Sequence, residues 1–456
     1  MKIPRIMLAS PGSGAGKTTV TCAVLQALVN REISVVSYKS GPDYIDPMFH
    51  EKIIGVPSRN LDLYFFSGNT AQYLISKNSK HARLSLVEGA MGYYDGAANT
   101  TTASSYQLAQ ETKTPVVLIL DCRGMSLSAA AIVKGMVEFR PDSGIKAVIL
   151  NRIKPMQYRF MKDLLENELR IPVLGYLPFR EDCVIQSRHL GLVTADEIED
   201  LKNLLEKLAE QAKKTIDLDA LLALADTASE LEPEPVLPPV CCENHPRIAV
   251  ARDEAFCFYY QDSLDLLSEL GAELVTFSPL YDTVLPENCC GMILGGGYPE
   301  LYTRRLSQNA EMLQEIRGAL ADQMPCIAEC GGFLYLSRSM EDINGNEYKL
   351  VGAIDSTSRK SDALHRFGYI EMTARFDNLL CKKGERIRAH EFHYWESSDN
   401  GNSFTAKKPF REMSWDCVHC SDSLYAGYPH LHFYANPVLA ENFVKKCGEF
   451  GRRKHG

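Results

Sequence analysis

Between Ile6 and Leu28 the chain reads Ile6-Met7-Leu8-Ala9-Ser10-Pro11-Gly12-Ser13-Gly14-Ala15-Gly16-Lys17-Thr18-Thr19, followed by Val20, Ala23, Val24, Ala27 and Leu28 at helical spacing. This order predicts an apolar strand, a glycine-rich bend and a helix. Such a bend holds phosphate: glycines let backbone N–H groups turn toward an anion, and the helix N-terminus adds partial positive charge. Lys17 reaches the outer phosphates and the Thr18 hydroxyl is placed to ligate Mg2+. Gly12, Gly14, Gly16, Lys17, Thr18 and Thr19 are therefore candidate ATP contacts. Pro11 stands where the full P-loop pattern begins with glycine, and the structural alternative is an ordinary glycine turn between strand and helix.

The first half of the chain alternates short β-branched runs with helical patterns. The runs are Ile33–Ser37, Leu84–Val87, Val116–Leu120, Ala147–Leu150 and Val173–Tyr176. Alternation of this kind predicts a parallel sheet covered by helices, with ligands beyond the carboxyl ends of its strands. The residues that follow each run are thus the informative ones. After the first come Lys39, Asp43, Asp46 and His50, around Pro42 and Pro47; two carboxylates and a lysine there suit Mg2+ and an anionic substrate, with a capped turn as the plainer alternative. Glu88 ends the next run, where a P-loop enzyme places its second metal contact, and Asp95 follows in the same glycine-rich loop. Asp121 ends the next strand as a metal contact or a cap, and Asn151 offers both donor and acceptor to a nucleotide base. Arg188 and His189, in a basic glycine-containing loop, are candidate contacts for substrate carboxylates. Thr194 to Glu197 reads as a capping box, opening a helix in which Leu201, Leu204, Leu205 and Leu208 form a core-facing stripe.

Four prolines among acidic residues make 226–246 a semi-rigid linker. The expected domains are 1–225 and 247–456. Strands at Ile248–Ala251, Glu273–Phe277, Gly291–Leu294 and Cys326–Glu329, with a helix over Leu306–Ala319, make the second domain α/β as well. Gly295-Gly296-Gly297 follows one of these strands and offers backbone N–H groups. Glu329-Cys330-Gly331-Gly332 is a strand-to-helix elbow that exposes a thiol at a helix N-terminus, a position expected to lower its pKa. Its base is sought in Ala389-His390-Glu391-Phe392-His393-Tyr394 or in Tyr428-Pro429-His430-Leu431-His432-Phe433.

At 456 residues and 45% hydrophobic the chain has ample core, and its net charge of -9 argues against broad nucleic-acid binding. No apolar run is long enough to cross a bilayer, and Met1–Ser10 lacks the apolar core of a signal peptide, so the cytosol is the expected location. Fourteen scattered cysteines in so long a chain are expected to be mostly reduced thiols. Cys417-Val418-His419-Cys420 has no second pair at zinc-site distance.

The ordered motifs GPDYIDP (41–47), NLD (60–62), EGAMGYYDG (88–96), LDCRGMS (120–126), SRHLGL (187–192), GGGYPE (295–300), ECGGFLYL (329–336) and HEFHY (390–394) together resemble the cobyrinic acid a,c-diamide synthase family. The resemblance runs from Pro4 to about Phe443. It implies a dethiobiotin-synthetase-like P-loop domain followed by a class I glutamine amidotransferase-like domain that lacks the usual full triad. The implied activity is ATP- and glutamine-dependent amidation in corrin biosynthesis. In it Cys330 attacks glutamine, backbone N–H groups around Gly296 and Gly331 form the oxyanion hole, and His430 or His432 is the base. Thr18, Asp46 and Glu88 are the implied Mg2+ ligands, and Lys39, Asp43, Asp46, Asp95, Arg188 and His189 the implied substrate contacts. The implied partners are a corrin polycarboxylate, glutamine and ATP, with neither nucleic acid nor membrane; a homodimer is left open. Enzymes acting on hydrogenobyrinic acid and nickel-sirohydrochlorin share these motifs, as in part does the related cobyric acid synthase. A partition-type regulatory ATPase is the alternative outside catalysis by amidation; such proteins carry a second lysine where this chain has Gly12 and have no use for the Cys330 elbow.

Overall fold

A computed structural model describes residues 1–183, 195–236, 242, 244–362 and 366–455. The chain divides into two compact units, Met1–Val236 and Leu237–Gly456.

The first unit is built on seven strands: β1 (Arg5–Ala9), β2 (Val35–Ser40), β3 (Ser58–Leu61), β4 (Leu84–Glu88), β5 (Val116–Asp121), β6 (Ile145–Asn151) and β7 (Val173–Leu177). They form one sheet in the order β3-β2-β4-β1-β5-β6-β7, parallel throughout. Apolar runs such as Val116–Leu120 are buried on both faces, as a parallel sheet covered by helices requires. Helix α1 (Lys17–Val29) follows the glycine bend and buries ten of its thirteen residues, so it is apolar nearly all round. One side packs on β1 and β4; the other meets Ala195–Thr215, whose Leu205 and Leu208 enter the same core while Leu201 and Leu204 lie against it. The expected capping box begins outside the described residues.

The strands extend one or two residues beyond most of the predicted runs, because backbone pairing continues into the polar strand ends that carry the site. β3 has no apolar run of its own and was not predicted. The first part of the segment read as a linker is held against the first unit: Leu231 and Met1 exchange backbone hydrogen bonds of 3.0 and 2.6 Å, and Asn69 is bonded to Glu234.

The second unit has a six-stranded sheet in the order Glu273–Phe277, Arg247–Ala251, Cys289–Leu294, Cys326–Glu329, Leu424–Gly427, His419–Cys420. The first five strands are parallel and the last is antiparallel. The helix predicted over Leu306–Ala319 is two helices, Pro299–Gln308 and Ala310–Ala321. Asn309 breaks it: ψ of 65° leaves the helical region, and its side chain caps the second helix at Met312 N. A five-stranded antiparallel sheet, Ser414–Cys417, Phe404–Lys407, Gly368–Ala374, Arg386–Glu391, His430–Leu431, completes the chemically relevant part of this unit. The chain thus leaves the parallel sheet at Gly427 and joins the antiparallel one at His430.

Among the described residues the cysteines are free thiols, and no helix is long and apolar enough to cross a membrane.

Candidate active sites

In the first unit the phosphate loop connects β1 to α1. Gly14 and Gly16 have φ of 78° and 86°, a region that glycine enters without the steric cost a Cβ brings. Gly16 is also pressed from outside, since a Cβ there would lie 2.2 Å from Asn151 Nδ2. Lys17 Nζ donates to Ser10 Oγ at 2.9 Å and to Met91 O at 2.5 Å, which folds the ammonium back over the loop. Burial, followed by repulsion from Lys39, lowers its pKa to about 8.

Parallel pairing sets Lys39 of β2 beside Glu88 of β4. Lys39 Nζ lies 2.9 Å from Glu88 Oε1 and 2.5 Å from Asp46 Oδ2, and Thr18 donates to the same Glu88 oxygen at 2.8 Å. Burial opposes charge throughout this cluster. Glu88 and Asp46 nevertheless hold Lys39 above its ordinary value, and Lys39 holds Asp46 below the usual carboxylate range. Burial pushes Glu88 up. Asp43 is pushed up to about 6 by burial and the Asp46 charge, and it accepts from the amide of Ile45 at 2.7 Å. His50, pushed down to about 4 by burial, approaches Glu88 Oε2 at 3.7 Å. That oxygen is buried without a hydrogen bond, an open acceptor beside Thr18.

Three residues expected to contact ligand are engaged by protein groups. Asn151 donates to Ala15 O at 2.8 Å and accepts from Arg152 N at 3.0 Å, so its amide braces the phosphate loop instead of standing free for a base. It still borders a cleft with Thr19, Leu177, Pro178 and Phe179. Asp95 accepts from Gly92 N at 3.0 Å, and Asp121 pairs with Arg152 at 2.8 Å. Arg152, which sequence reasoning did not separate from Asn151, also donates to Gly14 O at 2.8 Å and ties the loop to the end of β6. Arg188 and His189 lie outside the described residues.

In the second unit Cys330 sits at the elbow between Cys326–Glu329 and Gly331–Leu336, with φ 47° and ψ −101°. A non-glycine residue held there is strained, and the surrounding bonds impose it: Cys330 N donates to Gly427 O at 2.7 Å and Gly332 N to Gly295 O at 2.9 Å. The sulfur lies 3.7 Å from the carbonyl of Phe392, which brings the HEFHY segment to the candidate nucleophile. The expected lowering of the thiol pKa does not hold. Burial raises it, nearby Glu300 raises it further, and the Gly331 amide only partly compensates. Glu300 is itself pushed up to about 7 by burial.

The GGG loop is less open than its sequence suggests. Gly295 N donates to Tyr259 Oη at 2.9 Å, and Gly296–Gly297 pairs with Phe256–Phe258. The loop still lies against the elbow, since a Cβ on Gly331 would come within 3.2 Å of Gly297 N.

The two candidate bases occupy different surroundings. A Cβ on Gly296 would stand 2.6 Å from His430 Cε1, so this imidazole lies directly over the loop. His430 Nδ1 is 3.6 Å from Glu329 Oε2. His432 instead faces Tyr260, with ring centroids 4.8 Å apart; its Nδ1 accepts from Tyr434 N at 3.3 Å, and burial lowers its pKa to about 3. His390 is paired across from His430 and is lowered to about 3 by burial and by His430. His393 is bound to Glu391 at 3.0 Å and to Trp395 O at 2.8 Å, which occupies both of its nitrogens. Sequence reasoning missed Glu329 as a functional candidate, although it stands immediately before Cys330.

A P-loop nucleotide-binding unit joined to a unit with a cysteine elbow and a glycine loop defines a glutamine amidotransferase with a nucleotide-binding half. Residues 6–192 match the CobQ/CobB/MinD/ParA nucleotide binding domain, and residues 247–438 match the CobB/CobQ-like glutamine amidotransferase domain. A cobyrinate a,c-diamide synthase of Caldanaerobacter subterraneus subsp. tengcongensis is 39% identical over 451 residues, covering 98% of this chain and 99% of that protein. Those of Thermoplasma volcanium and Listeria innocua are 36% and 38% identical, covering 100% and 95% of this chain and 99% and 97% of theirs. The chain belongs to the cobyrinate a,c-diamide synthase family.

Proposed function

We propose that this protein amidates the a and c carboxylates of cobyrinic acid, using ATP and the amide nitrogen of glutamine. The observation that carries the reading is the presence, in one chain of this family, of a lysine-bearing phosphate loop and a strained cysteine elbow with a histidine over its glycine loop. The P-loop unit is the amide synthase and the second unit the glutaminase.

In the glutaminase, His430 removes the Cys330 proton as sulfur attacks the glutamine amide carbon. Backbone N–H groups around Gly296 and Gly331 receive the oxyanion, and the imidazolium returns its proton to the departing ammonia. Water then releases glutamate from the thioester and regenerates the thiol. Burial raises the Cys330 thiol, so a base that takes its proton as the sulfur attacks is what this site calls for.

In the synthase, Lys17 moves from its carbonyl contacts to the outer phosphates of ATP. Thr18, Glu88 and Asp46 fit Mg2+: they present hydroxyl and carboxylate oxygens, one of them the open Glu88 Oε2. A phosphate-bound Mg2+ needs few protein ligands, and among the described residues no cage of three His, Cys, Asp or Glu is present. When bound, the ion would offset charge on the transferring phosphoryl group. Lys39 keeps Asp46 and Glu88 oriented. A substrate carboxylate oxygen attacks the γ-phosphorus and ADP leaves; ammonia then attacks the acyl carbon and phosphate leaves. Asp43, Asp95, Arg188 and His189 remain the proposed corrin contacts.

The test is mass spectrometry of cobyrinic acid, hydrogenobyrinic acid and nickel-sirohydrochlorin, each incubated with the protein, Mg-ATP and glutamine. Two successive amidations of cobyrinic acid are expected. Amidation of another acceptor alone would reassign the substrate, and ATP turnover without amidation of any would favour a regulatory ATPase.

A further inference from the structure

In a nucleophile-histidine-acid triad the acid orients the histidine and stabilises the imidazolium it becomes. His432, two residues after His430, cannot carry negative charge, and its ring faces Tyr260. A base that takes a proton from a buried thiol becomes an imidazolium in a poorly solvated place, where an adjacent carboxylate is worth most. Glu329 supplies one from a different direction. Its Oε1 accepts from Leu431 N at 3.1 Å, so the carboxylate is fixed to the same two-residue strand that carries the imidazole. Its other oxygen faces His430 Nδ1 at 3.6 Å, an ion-pair distance that closes readily once the ring is protonated. Both side chains are largely buried, at 12% and 3% exposure, so solvent screens the pair weakly. Glu329 ends the strand that leads into Cys330, and that strand pairs with Leu424–Gly427, three residues before His430. One stretch of backbone pairing therefore registers nucleophile, base and carboxylate together.

We propose that Glu329 is the positioning residue of the glutaminase site: it holds His430 with Nδ1–H toward its carboxylate, leaves Nε2 to serve as the base, and stabilises the imidazolium. It takes the part of the missing triad acid from the residue before Cys330. The inference rests on the glutaminase reading given above.

The test compares steady-state glutamine hydrolysis by the full-length wild type, Glu329→Gln, His430→Ala and the double variant. Gln keeps the shape of Glu and an acceptor for Leu431 N, so packing alone predicts little change. The expected result is a fall of about 10²- to 10⁴-fold in kcat for E329Q with KM for glutamine nearly unchanged, and no further fall when E329Q is added to H430A. E329Q within about threefold of wild type, or losses that multiply in the double variant, would overturn the proposal. A second readout is the low-field imidazole N–H proton resonance that is absent from H430A protein. The proposal requires it to shift upfield in E329Q, and an unmoved resonance contradicts it. If wild type itself hydrolyses no glutamine, the glutaminase reading fails before Glu329 is reached.

Discussion

Gly296→Ala tests which histidine is the base. Gly296 does not need a left-handed backbone, so the added methyl acts only through space. It would meet His430 Cε1 at 2.6 Å and Phe258 Cβ at 3.3 Å, whereas ordinary contact begins at 3.4 Å, and the imidazole must withdraw by most of an ångström. Overpacking of this kind costs about 1–3 kcal/mol of stability. Misplacing a reacting group by about 1 Å costs on the order of 10²-fold in rate, or about 2.7 kcal/mol of barrier. Glutamate release from glutamine should therefore fall about a hundredfold, while amidation driven by ammonium salts, which bypasses the thiol, reports whether the rest of the protein is intact. His432 is packed elsewhere, against Tyr260, and should not feel the methyl. Glutaminase activity within about twofold of wild type would refute the assignment of His430.

Three further outcomes follow from the same geometry. Because burial raises the Cys330 thiol, its alkylation by iodoacetamide should stay slow at neutral pH and keep climbing past the ordinary thiol range of about 8.5; a plateau near pH 7 would contradict this. Lys17 is depressed to about 8 in the free protein, and bound phosphates favour its charged form, so nucleotide binding should take up a proton above about pH 8 and weaken as pH rises. Calorimetry in buffers of different ionisation heat measures that uptake, which Lys17→Met should abolish. Asn151→Ala removes the brace on Ala15 O and should lower stability by about 1–3 kcal/mol in urea titrations; an unchanged midpoint would show that the phosphate loop does not rely on it.

The strands of the first unit were legible because parallel strands buried on both faces leave unbroken apolar runs, and α1 was legible from its spacing. β3 was not, since Ser58-Arg59-Asn60-Leu61 has no apolar run and is held by pairing with β2 and by Asn60, which donates to Gly41 O and Asp43 O. Glu88 and Asp46 were readable as strand-end and loop carboxylates, but the lysine that binds both was read as a substrate contact. Its pairing depends on the β2-β4 register, which residue types do not reveal. The same limit hid Glu329 and left His430 and His432 unresolved: two histidines two residues apart look alike until the chain crosses between sheets and turns them to different neighbours. The direction of the thiol shift was not legible because a helix N-terminus is visible in sequence, whereas the burial that raises the thiol, and after it the nearby carboxyl of Glu300, comes only with the tertiary packing.

Nitrogen taken from glutamine at Cys330 should end on two carboxylates of the acceptor. This is tested by incubating cobyrinic acid and Mg-ATP with glutamine labelled with 15N in its side-chain amide, using wild type and Cys330→Ala, and weighing the products. Wild type should give two 15N atoms per product and the variant none, and the variant should recover both amidations when 15N-ammonium replaces glutamine. Label transfer from glutamine by the Cys330→Ala protein, or unlabelled product from wild type, would contradict it.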